Sequence, residues 1–147
     1  MPIRDDQVAT IHAFLSAENE RFQRLNQALS GSPAARKGYL VLIFATFVEA
    51  VGHRFAAETP QAEIIEYVAD VRARSADAAD RIDPDKAERV IRAVFDDGVP
   101  LDDVDAGERT ELEMVLALAI VSDAGVTGTD LDGFLDRARK RGEEILG

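Results

Sequence analysis

Tyr39-Leu40-Val41-Leu42-Ile43-Phe44-Ala45-Thr46-Phe47-Val48 is the stretch on which the fold turns. Its ten residues are apolar except for one threonine, and no turn residue interrupts them. The run is too long for an ordinary buried strand and too short for the roughly 18 residues of a membrane span. It therefore predicts the middle of a helix over about 34–57. A helix apolar on every face is enclosed by other helices. A second run, Met114-Val115-Leu116-Ala117-Leu118-Ala119-Ile120-Val121, predicts another central helix over about 108–124.

Working outward, the remaining segments carry helical spacing, with no alternation bounded by turn residues that would mark a strand. Val8, Ile11, Leu15, Phe22, Leu25 and Leu29 recur at steps of three and four over 6–29 and form a narrow seam, with Glu18 filling one apolar step. Ser30-Gly31-Ser32-Pro33 ends that helix. Thr59-Pro60 and Asp83-Pro84 read as helix starts, a capping side chain followed by a proline that needs no N–H partner. They open helices over about 59–79 and 84–96, and a last helix spans about 130–146. The expectation is an all-α bundle of about six helices in one domain covering 1–147. Helix 1–29 serves as an arm that either folds back on the core or pairs with a second copy. A loose internal echo also appears, because Ile64, Tyr67, Val68 and Val71 share their spacing with Leu131, Phe134, Leu135 and Ala138.

The chain holds 28 acids against 17 bases over 147 residues, a net charge of −11. Residues 1–57 carry five acids and six bases, so 58–147 hold 23 acids and 11 bases. A nucleic-acid or membrane-surface binder needs a positive face, and the balance speaks against both partners. No cysteine is present, which excludes disulfides, thiolate zinc sites and cysteine nucleophiles. The first residues lack a basic stretch followed by an apolar one, so no signal peptide is expected and the location is read as cytoplasmic.

Little else carries chemistry. Neither a Walker loop nor GxGxxG occurs, and no nucleophile elbow accompanies His12 or His53. Calcium-loop registers starting at Asp103 and Asp123 fail at their required ligand positions. The metal candidates are Glu49 and His53, four residues apart on one helix face, with Glu18 and His12 as further ligands if the first two helices bring them together. No cofactor is expected. Residues 96–113 hold Asp96, Asp97, Asp102, Asp103, Asp105, Glu108, Glu111 and Glu113 against Arg109 alone, a balance of −7 in 18 residues. Elsewhere acids face bases at i+4, as in Asp70–Arg74 and Asp85–Arg89, whereas the acids of this cluster mostly lack such partners.

The turn Ser122-Asp123-Ala124-Gly125-Val126-Thr127-Gly128-Thr129-Asp130, between an apolar and an amphipathic helix, resembles the helical domain of the tellurite-resistance family over about 30 residues. Ala124 separates the aspartate and glycine that are adjacent in the family's turn. The resemblance implies a stress-linked interaction domain. The residues themselves favour a non-enzymatic acidic interaction protein, homodimeric, docking a basic partner through 96–113. The alternative is a small-ligand or metal-binding domain, with a polar site between helices one and two or a pocket between helices one, two and five.

Overall fold

The computed structural model describes residues 2–147, and these fold entirely as helices and connecting turns, with no strand among the described residues. They are α1 (Asp5–Leu15), α2 (Asn19–Leu29), α3 (Pro33–Arg54), α4 (Gln61–Arg72), α5 (Ala76–Arg81), α6 (Pro84–Arg92), α7 (Ala106–Asp123) and α8 (Gly128–Leu146). Eight helices stand where spacing predicts six, because two expected helices are broken.

The first break lies at Ser16-Ala17-Glu18. Ala17 takes the left-handed conformation at φ 58°. Its N–H donates to Phe14 O (3.1 Å), and the Glu18 N–H donates to Ala13 O (2.9 Å). Those two bonds make a Schellman turn, which satisfies carbonyls that the end of α1 would otherwise leave free. Alanine stands where glycine is the usual choice, so spacing alone runs on through the break. The second break separates α4 from α5. There Ser75 accepts from the Ala78 N–H (3.0 Å) and starts a new six-residue helix. Of the two proline starts, Asp83 caps α6 through the Lys86 N–H (3.0 Å). Thr59 instead accepts from the Ala56 N–H (2.8 Å), bracing the turn before α4.

α3 is the axis of the molecule, and α1, α7 and α8 pack around it. Leu42, Ala45, Phe47, Ala50 and Val51 are essentially without solvent exposure. α7 packs against α3, α1 and α6, and α6 joins α4 to the body. Tyr67 donates its hydroxyl proton to Asp123 Oδ2 (2.9 Å), which Arg74 also holds, so α4 is pinned to the end of α7. The segment ahead of α1 is strapped to α8. Ile3, fully buried, lies against Gly142, where a Cβ would stand 2.5 Å from Ile3 Cδ1. The Ile3 amide donates to Glu143 Oε2 (3.0 Å), and the Ile3 carbonyl accepts from Arg139. Gln7 ties α1 to α3 by donating to Ala35 O (2.7 Å).

α3 is not enclosed on every side. Leu40, within its apolar run, is 39% exposed. α2 is the other exception to close packing, since its main neighbour is α1 and it buries only Leu29. No helix among the described residues is long and apolar enough to cross a membrane.

Candidate functional site

The residues singled out for metal do not assemble. Glu18 pairs with Arg21 (3.5 Å) and His12 faces Asp132 (3.6 Å). Glu49 accepts from Arg141 (2.7 Å) and lies 3.6 Å from Arg137, both on α8. His53 is exposed and shares one surface depression with Glu49, Arg137 and Arg141. Glu18 is elsewhere, because the turn at Ala17 moves it off the seam. No group of three or more ligating side chains suited to a metal occurs among the described residues.

The acidic stretch also differs from its reading, because most of its acids have partners within the fold. Arg89 on α6 grips Asp103 through both guanidinium nitrogens (2.7 and 2.9 Å), which holds that carboxyl below its usual range. Lys86 donates to both oxygens of Glu108 (3.0 Å each). Arg81 lies 3.7 Å from Glu111. Asp105 caps α7 through the Glu108 N–H (3.0 Å), and Asp96 accepts from the Gly98 N–H (2.9 Å). Only Asp97 and Asp102 have neither an ion pair nor a hydrogen bond among the described residues. Glu113 does not belong to a surface patch, being 4% exposed with Arg109 Nε 3.2 Å away. Burial pushes its carboxyl up to about 7, against the opposing pull of Arg109.

A different feature emerges where Leu40 reaches the surface. Phe14 of α1, Phe22 of α2, Leu40 of α3, and Met114 and Val115 of α7 line a groove of about 470 Å³. The Phe14 and Phe22 rings lie 5.1 Å apart, tilted by 52°, and form one wall. Arg36, Arg81 and Glu111 also line it, and all three are exposed. Phe14 and Met114 further line a small gap of about 10 Å³ behind the groove, shared with Ile11, Leu15, Ile43, Thr46 and Ala117. Phe14 and Met114 therefore separate the open groove from the packed core. The groove lies between the segments expected as helices one, two and five, the place named for the alternative reading. Phe22, Leu40, Met114 and Val115 are legible in the sequence only as seam or core positions and Phe14 is not singled out at all, because helical spacing does not distinguish a covered apolar side chain from one left open. The Tyr39 hydroxyl is buried with no hydrogen-bond partner among the described residues.

No family model matches the chain, no curated protein matches it, and no solved structure matches it.

Proposed function

We propose that the chain is a non-enzymatic binding protein that holds an apolar group in the groove between α1–α2, α3 and α7. The observation supporting this reading is the surfacing of the α3 apolar run. A fold that buries Leu42, Ile43 and Phe47 almost completely leaves Leu40 39% exposed beside two phenylalanines, a methionine and a valine. A concave apolar lining with a few charged groups, at about 470 Å³, is of the size and character that bind small molecules or a partner's anchoring side chains. Methionine and paired aromatics adapt to differently shaped occupants.

The test is titration with N-phenyl-1-naphthylamine, a neutral dye that fluoresces in apolar surroundings. Saturable binding at one site is expected, weakened about tenfold or more in Leu40→Glu. Leu40 is partly exposed already, so that variant keeps the fold, which circular dichroism verifies. Non-saturable binding, or equal affinity in the variant, overturns the reading.

A second copy of the chain is the competing occupant, and it retains the expected homodimer as part of this proposal. The loose seating of α2 supports it, because a partner can cover Phe22 without dismantling the core. Docking of a basic partner on 96–113 rests on Asp97 and Asp102, the two acids of that stretch without a partner among the described residues. A cytoplasmic location belongs to the same proposal.

A further inference from the structure

Charge is distributed around the groove in a way that specifies its occupant more closely. Residues 21–48 contain Arg21, Arg24, Arg36 and Lys37 and no acid, in a chain whose net charge is −11. That segment supplies Phe22, Arg36 and Leu40 to the groove. Most arginines of this protein are engaged: Arg89 with Asp103 and Asp85, Arg74 with Asp123 and Asp70, Arg141 with Glu49. Arg36 makes no side-chain hydrogen bond or ion pair among the described residues. The other cation lining the groove is engaged, since Arg81 lies 3.3 Å from Asp77 and 3.7 Å from Glu111. One uncompensated guanidinium thus stands at an apolar groove, and that groove is backed by a gap reached past Phe14 and Met114.

We infer that the groove takes an amphiphile with an anionic head, a long-chain carboxylate, with its alkyl chain against Phe14, Leu40 and Met114 and its carboxylate on Arg36. The inference rests on the binding function proposed above and adds the ligand class. Apolar burial supplies affinity in proportion to the area covered. The guanidinium supplies the preference for an anion, because its planar fork matches a carboxylate. Arg36 is exposed, so the preference is modest and weakens with salt. A cationic amphiphile meets the same uncompensated charge as repulsion.

The experiment measures dodecanoate, dodecanol and dodecyltrimethylammonium, each below its micelle concentration at pH 8, by displacement of N-phenyl-1-naphthylamine or directly by calorimetry. Dodecanoate is expected to bind about fivefold or more tightly than dodecanol, with the cationic amphiphile weakest. Arg36→Gln removes the difference while leaving dodecanol within twofold, and Arg36→Lys restores part of it. Leu40→Glu weakens all three. Equal affinity of dodecanoate and dodecanol, or a preference unchanged in Arg36→Gln, overturns the anionic assignment while the dye result keeps the groove as a binding site. If the dye binds and is lost in Leu40→Glu, yet no alkyl amphiphile displaces it, the ligand class is wrong and the groove stands. If neither dye nor amphiphile binds, the binding function falls and the ligand class with it.

Discussion

The α1–α2 and α7–α8 pairs are built on the same turn and end in different states. In each, a helix closes in a Schellman arrangement with one left-handed residue, Ala17 at φ 58° in the first and Gly125 at φ 67° in the second. The bonds correspond one for one: Glu18 to Ala13 and Ala17 to Phe14 in the first turn, Val126 to Val121 and Gly125 to Ser122 in the second. After the turn the pairs diverge. α8 lays Leu131, Phe134, Leu135 and Ala138 into the core, whereas α2 buries Leu29 alone. α7 and α8 share α3 as a common support, while α2 leans chiefly on α1. The hydrogen-bonded turn therefore sets the path of the chain, and apolar burial sets how firmly the next helix is held. The less firmly held helix is the one that walls the groove, in keeping with the tendency of ligand-binding elements to come from the low-stability end of a structure.

Truncating one leucine in each second helix tests this contrast most severely. Leu135→Ala in α8 is expected to cost about 3–4 kcal/mol in urea unfolding, because it opens a cavity at a site 2% exposed. Leu25→Ala, at a half-exposed position in α2, is expected to cost about 1 kcal/mol or less. Similar losses at the two sites would show α2 to be as firmly seated as α8.

Next in size is a pH effect confined to α7. Glu113 in the folded chain sits at about 7, above the usual carboxyl value of 4.5, so the folded state holds this proton more tightly than the unfolded state. Its contribution to stability is complete below about 4.5 and is lost as pH rises through about 7. Glu113→Gln is therefore expected to match the parent near pH 4 and to exceed it above pH 8 by up to about 3 kcal/mol. Taking the difference between the two melting curves removes the other carboxylates, whose pairing acts in the opposite direction. A difference that is flat across pH refutes the burial of a proton-binding Glu113.

The smallest effects come from exchanging the turn residues. Ala17→Gly is expected to stabilise by about 1 kcal/mol, and Gly125→Ala to destabilise by about as much, since a Cβ disfavours the left-handed conformation. If Ala17→Gly is neutral or harmful, strain at that turn does not distinguish the two pairs.

The all-helical class was legible because Tyr39–Val48 is too long for an ordinary buried strand and the segments around it carry helical spacing; that run and Met114–Val121 both lie within helices, α3 and α7. The break inside 6–29 was not, because it uses neither glycine nor proline and the spacing from Leu15 to Phe22 continues across it. Asp103 and Glu108 look unpartnered when only i+4 neighbours are considered. Their cations lie on other helices, Arg89 fourteen residues before Asp103 and Lys86 twenty-two before Glu108. Such pairs follow from tertiary packing, which local spacing does not encode. A signal for the groove was nonetheless present in the acid-free, four-base segment 21–48, visible once charge is counted along the chain in windows rather than by halves.

Ile3 is seated against Gly142 and tied to Arg139 and Glu143, so a residue synthesised well before α8 waits for that helix before it has a socket. A ribosome-bound or prematurely terminated chain lacking α8 exposes that isoleucine together with the Val41 and Ala45 face of α3. Such a chain offers chaperones and proteases a greasy handle that the folded helices conceal.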